Sequence, residues 1–261
     1  MIIRYIYIYI YYMSKKVISY CIYGNNPKYT TGIIEAVISS NLIYLDWEVW
    51  VYYSKKSVPS KIVDMLRNLN CTLIPYEDDL FSNDDHSEGM FRRFQPLSNE
   101  NVGVWISRDA DSRCTKRERM MVEEWLQSGK AIHSILDHPC HKSLMGGTIG
   151  VSNTILIQKY PDKIVDIDDV LKSYAESHDN KMNKYNMDQQ WIRDHFKSIV
   201  LTEKDILVHV NERPVCIRDC SMYGLSPINE HFVTILVSDC DNFCGKPIHA
   251  NESCISLHID F

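Results

Sequence analysis

The chain has 261 residues, of which 45% are apolar, so it is long enough to bury a sizeable core in one large domain or two small ones. Its formal net charge of -6 gives no general basic field, which argues against nucleic acid as the main partner. Nine cysteines, an odd number in a chain too long to be a disulfide scaffold, indicate reduced thiols. The pairs Cys216/Cys220 and Cys240/Cys244 leave a four-cysteine zinc site as a less favoured alternative, because zinc knuckles more often use shorter spacings.

The first residues are apolar and aromatic, but the run is shorter than the roughly 20 residues that cross a bilayer. They also lack the small-residue cleavage site of a signal peptide. A segment typical of a natural N-terminus starts at Met13, so we expect residues 1–13 to be an extension that is not native. A membrane-surface segment and an extra edge strand are the alternatives, and no transmembrane segment is expected.

Strands and helices alternate in the first part of the chain. Apolar runs bounded by turn residues predict strands, and apolar residues at helical spacing predict helices. The predicted elements are a strand at 16–24, a polar loop at 25–31, a helix at 32–43, a strand at 46–54, a helix at 57–69 and a strand at 71–76. This alternation predicts a parallel sheet with helices on both faces.

The rest of the chain continues the α/β pattern less regularly. An acidic surface loop at 77–89 precedes a short helix or bend at 90–97, a strand at 101–107, a helix at 115–128, a strand at 131–136, helices at 166–178 and 188–200, and strands at 205–210 and 231–238. Thr115 and Gly129 supply the cap and the stop of the central helix. We expect one domain over 14–261, with a nucleotide-binding half at about 14–113 and an acceptor-side half at about 114–261.

The sequence Asp-x-Asp occurs three times, and its context differs each time. Asp166 and Asp168 precede a helix and are expected to cap it. The pair at 239 and 241 follows a strand and is expected to form a turn, with a metal role as the alternative. The third pair lies in "VWISRDADSR", residues 104–113, between a strand and a helix, which is where open α/β sheets bind ligands.

Asp109 and Asp111 are therefore the favoured pair. Alternate residues of an extended chain face the same way, so their carboxylates converge and repel unless a cation lies between them. Magnesium or manganese suits this position, because such ions take one or two protein carboxylates and complete their coordination with water and substrate phosphates. The alternative is a pair of salt bridges with Arg108 and Arg113.

Several segments in order resemble the glycosyltransferase-type proteins of bacteria and large DNA viruses that have the GT-A, or nucleotide-diphospho-sugar transferase, fold. The segments are "SRDADSR", "DHPCH", "GGTIG", "YGNNPKYTTGIIEAV", "FRRF", "MDQQW" and "FCGKP", and the resemblance covers most of 17–247. It implies a single α/β, Rossmann-like domain with a mostly parallel central sheet flanked by helices. It also implies that Asp109 and Asp111 hold a divalent metal on the diphosphate of a sugar nucleotide.

The same resemblance implies donor-binding residues in the first half of the chain. The loop after the first strand, at Tyr23, Gly24 and Asn25, would lie against the nucleoside. Arg92 and Arg93 would contact phosphate or the aspartates, unless they are solvated charges on a helix. Ala110, between the two aspartates, would contribute to donor binding.

In the second half, the resemblance places Asp137 and His138 on the same rim. Asp137 would bind a sugar hydroxyl or act as general base if the reaction inverts configuration, with a turn-capping role as the alternative. Gly146 and Gly147 would let the backbone approach a sugar closely, although a plain flexible loop would also explain them.

Three further residues complete the candidate set. Asp188 and Gln189 resemble the "DQ" element of several GT-A groups, which implies a catalytic role for Asp188 and donor binding by Gln189, with helix capping by Asp188 as the alternative. His249 resembles a late metal ligand, but its surroundings depart from that pattern.

The function implied is metal-dependent transfer of a sugar from a UDP- or GDP-sugar to a hydroxyl of a glycan or protein. The alternatives are a catalytically silent, lectin-like module, a sugar-nucleotide hydrolase and a structural viral protein. The expected location is the cytoplasm, or the host cytoplasm if the protein is viral. The sequence specifies neither the oligomeric state nor whether configuration is retained.

Overall fold

The computed structural model describes residues 14–80, 87–136, 144–177, 186–202, 204–211 and 236–237. The expected N-terminal extension, the loop with Asp137 and His138, the segment with His249 and both cysteine pairs lie outside these residues. The described cysteines, Cys21, Cys71 and Cys114, are free thiols. Within the described ranges, no helix combines the length and apolar content that crossing a membrane requires.

Among the described residues, the centre of the protein is an eight-stranded, mostly parallel sheet, which confirms the predicted fold class. The strands are β1 Lys15–Ile22, β2 Glu48–Ser54, β3 Thr72–Tyr76, β4 Val102–Ser107, β5 Ile132–Leu136, β6 Ile149–Ser152, β7 Ile206–Asn211 and β8 Leu236–Val237. Their order in the sheet is β3-β2-β1-β4-β6-β5-β7-β8, and only β6 runs antiparallel to its neighbours. The first strand and the fourth are therefore adjacent and parallel, and their carboxyl ends share one edge.

Seven helices among the described residues flank this sheet. They are α1 Pro27–Ile43, α2 Ser60–Arg67, α3 Ser87–Arg92, α4 Lys116–Ser128, α5 Asn153–Lys159, α6 Ile167–Ser177 and α7 Met187–Thr202, with short 3-10 segments at Gln95–Ser98 and Pro161–Lys163. Helices α1, α2 and α4 contribute to one apolar cluster, and α3, α6 and α7 to another. The sheet therefore has a covered core on each face, as the near-continuous apolar runs of its strands require.

Alternation along the strands separates the two cores. In β4, Trp105 packs into the cluster with α3 and α7, whereas its neighbours Val104 and Ile106 pack into the cluster with α1 and α4. Trp105 is fully buried and contacts Phe94 at a ring-centroid distance of 6.2 Å. Strand β4 is thus packed on both faces. This packing holds the end of the strand in place, and Asp109 and Asp111 follow that end.

Three parts of the structure differ from the predicted elements. Helix α1 begins at Pro27, five residues before the predicted start at residue 32. The Asn26 side chain caps it by accepting a hydrogen bond from the backbone N–H of Lys28, and proline fits the first helical position. Helix α3 begins at Ser87, inside the predicted acidic loop. Strand β6 and helix α5 were not predicted. The segment of β6 contains a glycine and is defined as a strand by its pairing with β4 and β5.

Candidate functional site

The two aspartates lie in a tight turn that leaves the end of β4. The backbone N–H of Arg108 donates to the Ser19 carbonyl of β1 at 3.1 Å, so the ladder between β1 and β4 continues to this point. The backbone N–H and the hydroxyl of Ser112 then donate to the Asp109 carbonyl, at 3.1 and 2.8 Å. The turn is closed by its own hydrogen bonds and lies at the carboxyl edge of the sheet, so the extended segment on which the predicted convergence of Asp109 and Asp111 rested is not present.

Asp109 forms an ion pair with a buried arginine. The Arg93 guanidinium, directly after α3, contacts the Asp109 carboxylate with one nitrogen and the Asp188 carboxylate with another. The Asp188 side chain is 1% exposed, whereas 45% of the Asp109 side chain is exposed. Burial alone would lower the pKa of Arg93, but the two carboxylates raise it, so the guanidinium stays charged. Arg93 therefore links a buried aspartate to one at the rim.

The glycines before β6 lie against this ion pair. A Cβ atom on Gly147 would lie 2.1 Å from an Asp109 carboxylate oxygen, and one on Gly146 would lie 2.5 Å from the Arg93 guanidinium. The Gly146 backbone N–H donates to the Gln189 side-chain oxygen at 2.7 Å. A side chain at either position would have to displace the Asp109 carboxylate or the Arg93 guanidinium, so close approach, and not positive φ, favours glycine here.

Asp111 has a different partner, which the sequence did not indicate. Its carboxylate oxygen lies 2.7 Å from the Lys28 ammonium nitrogen, and its side chain is 10% exposed. The hydrogen bond to Asp111 raises the pKa of Lys28. Helix α1 packs closely on this turn, since a Cβ atom on Gly32 would lie 2.8 Å from the Ala110 carbonyl oxygen. Ala110 is buried in this contact, so its place in the site is through its backbone.

Arg108, offered as an alternative partner of the aspartates, points into the protein. Its Nε donates to Glu118 in the first turn of α4 at 2.7 Å, and both side chains are 1% exposed. Arg108 also donates to the carbonyls of Ser107 and Ile149. Asp109 thus pairs with Arg93 and Asp111 with Lys28, whereas the Nε of Arg108 contacts Glu118.

The loop after β1 lies at the same edge of the sheet. Gly24 has a φ of 68°, which favours glycine, and its N–H donates to the Ser57 hydroxyl at 2.8 Å. Tyr23 packs closely on α3, where a Cβ atom on Gly89 would lie 2.2 Å from its ring. Burial raises the pKa of the Tyr23 hydroxyl, which stays neutral. Asn25 is exposed on this loop.

Arg92 is placed away from the aspartates of the turn. Its guanidinium contacts Glu88 on its own helix and Asp168 on α6, and it lies 5.2 Å from the Tyr76 ring centroid. Of the two adjacent arginines, Arg93 belongs to the cluster around Asp109 and Arg92 joins α3 to α6.

Two residues near the site were missed in the sequence. Burial raises the pKa of the Cys21 thiol to about 12, and the charges of Arg93, Asp188 and Asp109 also act on this thiol, so Cys21 lies near the ion pair. Lys28 could have been found from the "NNPK" segment, because an asparagine cap followed by proline predicts a helix start at this edge. No local pattern marks Cys21.

The chemistry of the two carboxylates suits a divalent ion, although they supply only two ligands. Within the described ranges, no three His, Cys, Asp or Glu side chains come together as a metal-binding group. Two carboxylates are within what magnesium or manganese takes from a protein. Asp109 is accessible to solvent, and the partner of Asp111 is an exposed lysine that is easily displaced. The residues present therefore fit such an ion.

The site thus combines three carboxylates, a buried arginine, an exposed lysine and a close backbone approach at one sheet edge. Six of the predicted residues, from four separate segments, come together there: Arg93, Asp109, Gly146, Gly147, Asp188 and Gln189. Such an arrangement can bind an anionic group together with a cation. The predicted residues Asp137, His138 and His249 lie outside the described residues.

No family model and no curated protein matches the sequence. Among solved structures, S. aureus TarS is similar, with 16% identity, 62% of this chain and 55% of that chain covered, and a TM-score of 0.42. The galactosyltransferase LgtC in complex with donor and acceptor sugar analogues has 11% identity, coverages of 84% and 80%, and a TM-score of 0.49. A cytidylyltransferase from Leptospira borgpetersenii has 11% identity, coverages of 77% and 77%, and a TM-score of 0.44. The chain thus spans about half the length of the first of these.

Proposed function

We propose that this chain is a GT-A-type glycosyltransferase that moves a sugar from a UDP- or GDP-sugar to a hydroxyl of a glycan or protein. The observation that carries the proposal is the cluster of Asp109, Arg93 and Asp188 at the carboxyl edge of the sheet, with Gly147 in contact with the Asp109 carboxylate. Open α/β sheets bind ligands in the crevice at this edge. Five of the seven segments with the family resemblance contribute described residues to this edge.

Asp109 and Asp111 would hold a divalent ion, manganese or magnesium, at this edge. When bound, the ion would neutralise the negative charge that develops on the nucleoside diphosphate as the sugar–phosphate bond breaks. The protein's own part is to keep the two carboxylates in place, and the closed turn from Asp109 to Ser112 does this. Positioning of this kind contributes to catalysis because the reacting groups need no reorganisation.

Arg93 and Asp188 would act as positioning residues. Asp188 is 1% exposed and its carboxylate contacts Arg93, so it orients the guanidinium and does not reach a substrate directly. Arg93 in turn holds Asp109 at the rim. The close approach of Gly147 leaves no side chain between the backbone and the donor sugar, while the loop at Tyr23 and Gly24 would receive the nucleoside.

Asp137 as general base, His138 at the donor and His249 as a third metal ligand remain predictions. All three lie outside the described residues. Whether Asp137 acts as a base depends on the stereochemical outcome, because only an inverting reaction requires a base opposite the leaving group.

The test is a thermal-shift panel of UDP, GDP and their sugar derivatives, with and without manganese. A ligand at a hundredfold excess over its dissociation constant should stabilise the wild type by about 2.7 kcal/mol. Asp109→Ala and Asp111→Ala should remove the metal-dependent part of this shift. The matched control is Asp205→Ala, because Asp205 is 11% exposed and paired with a lysine, like Asp111, but precedes β7 at the opposite end of the sheet.

The same panel separates the rival functions. Release of nucleoside diphosphate without an acceptor would indicate a hydrolase, and glycan binding that ignores both metal and nucleotide would indicate a lectin-like protein. If no nucleotide stabilises the wild type in the presence of manganese, the proposed transferase activity is wrong.

A further inference from the structure

Lys28 is a solvent-exposed cation at the site. It lies in the first turn of α1, and its ammonium nitrogen is 2.7 Å from the Asp111 carboxylate. Its side chain is 46% exposed, whereas that of Arg93 is 6% exposed. The packing of Gly32 against Ala110 fixes α1 on the turn, so Lys28 is held beside Asp111 by the backbone and not by chance contact.

The two cations of the site differ in how easily they can move. Arg93 contacts two carboxylates inside the protein and cannot leave one without leaving a buried charge behind. Lys28 makes one carboxylate contact from a flexible four-carbon side chain that is 46% exposed, so its ammonium group can leave the Asp111 carboxylate for solvent. The Asp111 end of the site can therefore open, while the Asp109–Arg93 end stays fixed.

The charge balance of a loaded site gives Lys28 a second role. A divalent ion between Asp109 and Asp111 would form a neutral set with the two carboxylates and would displace the lysine ammonium from Asp111. A diphosphate then adds negative charge that this neutral set does not offset. A displaced Lys28 lies on the same rim and supplies a compact, mobile cation of the kind that binds phosphate.

We propose that Lys28 neutralises Asp111 in the empty site, competes with the divalent ion for it, and contacts the donor's diphosphate once the ion is bound. This inference rests on the proposed function, since it takes the nucleoside diphosphate as the ligand. It assigns Lys28 a binding role and predicts that replacing Lys28 strengthens manganese binding and weakens nucleotide binding.

The first measurement is manganese binding without nucleotide, on the wild type and on Lys28→Met. Loss of the competing ammonium should strengthen manganese binding about fivefold, which corresponds to a weak exposed ion pair. Asp111→Asn should itself weaken manganese binding through loss of a ligand, and adding Lys28→Met to it should not strengthen the binding that remains, because the lysine then has no carboxylate to compete for.

The second measurement is binding of UDP and GDP in the presence of saturating manganese. Lys28→Met should weaken this binding at least about tenfold, because a charge-assisted hydrogen bond to phosphate is lost. Lys28→Arg should retain most of the affinity. If Lys28 had a purely structural role, its replacement would not strengthen the binding of manganese and weaken the binding of the nucleotide.

The control is Lys159→Met. Lys159 pairs with Asp205 at exposures of 48% and 11%, close to the 46% and 10% of the Lys28 pair, but at the opposite end of the sheet. Lys159→Met should change neither the manganese affinity nor the nucleotide affinity. The melting temperatures of Lys28→Met and Lys159→Met check that both variants fold.

The outcomes separate the two proposals. If nucleoside diphosphate binds but Lys28→Met neither strengthens manganese binding nor weakens nucleotide binding, the role of Lys28 is wrong and the proposed function stands. If no nucleoside diphosphate binds the wild type, the proposed function fails. The manganese titration, which contains no nucleotide, then still shows whether Lys28 and the ion compete for Asp111.

Discussion

Arg108 and Asp109 are adjacent in the chain, yet each belongs to an ion pair of a different kind. Arg108 pairs with Glu118 inside the protein, where both side chains are 1% exposed. Asp109 pairs with Arg93 at the rim, where 45% of the Asp109 side chain is exposed. The turn after β4 is thus anchored on one side by a buried charge pair and presents a carboxylate to solvent on the other. Stability and binding are assigned to neighbouring residues of the same turn.

The largest expected effect comes from breaking the internal pair. Glu118→Ala leaves the Arg108 charge buried and also removes the acceptor for the Tyr44 hydroxyl, which donates to Glu118 at 2.9 Å. Removal of one partner of a buried ion pair costs about 3–5 kcal/mol, so the free energy of unfolding should fall by this amount in urea denaturation.

The control for this variant lies on the same helix. Glu123→Ala removes an exposed carboxylate, 48% accessible, that pairs with Arg119 one turn away. This change should cost less than about 1 kcal/mol. Equal losses for Glu118→Ala and Glu123→Ala would contradict the structural role given to the internal pair.

The sequence predicted the position of this turn but not its partners. The apolar run before Arg108 and the capped helix after Thr115 place Asp109 and Asp111 at a strand-to-helix connection, and the structure has both elements there. The direction in which Arg108 points depends on Glu118, and Arg93, the partner of Asp109, lies directly after α3. These contacts form only when separate segments pack together, so local patterns could not specify them.

The elements that were missed follow the same rule. The strands of the first half are long and apolar enough to be recognised alone, whereas β6 has four residues, Ile149–Ser152, and two antiparallel neighbours that define it. The start of α1 was misplaced for a different reason, since the cap at Asn26 and the proline after it were visible signals. Recognition of that start would have placed Lys28 at the site.

A buried neutral group sharpens the comparison, because it responds to pH where the ion pairs do not. His133 is fully buried and stacks on Trp125 at a ring-centroid distance of 5.2 Å. Its Nε2 lies 2.8 Å from Nδ1 of His209, and the Nε2 of His209 lies 3.4 Å from a Glu124 carboxylate oxygen. Burial lowers the pKa of His133 well below its usual value, and the charges of His209 and Arg108 lower it further. The folded protein therefore keeps this imidazole neutral.

The sign of the resulting pH effect follows from that lowered pKa. Below about pH 6.5 the unfolded chain binds a proton that the folded protein does not, so stability falls as pH decreases. The free energy of unfolding should fall by up to about 1.4 kcal/mol per pH unit between pH 6.5 and 5.5 for this residue. Urea denaturation across this range measures the slope.

His133→Gln should lower stability at pH 7.5 but flatten the slope below pH 6.5. Burial also lowers the pKa of His195, so His195→Gln in parallel separates the two contributions. Carboxylates such as Asp205, whose pKa is lowered in the folded protein, lose their contribution only near and below pH 4 and do not affect this range. A slope that is unchanged in both variants would rule out the buried imidazoles as its source.

The smallest expected change in stability comes from the rim pair. Asp109→Asn removes one carboxylate from Arg93, but the guanidinium keeps its contact with the buried Asp188, so no unpaired buried charge is created. Since 45% of the Asp109 side chain is exposed, the free energy of unfolding should fall by less than about 1 kcal/mol in urea denaturation. If this variant instead lost as much stability as Glu118→Ala, Asp109 would be a structural residue like its neighbour. A stable variant that no longer binds nucleoside diphosphate would show that the protein keeps this carboxylate for its ligand, because folding does not require it.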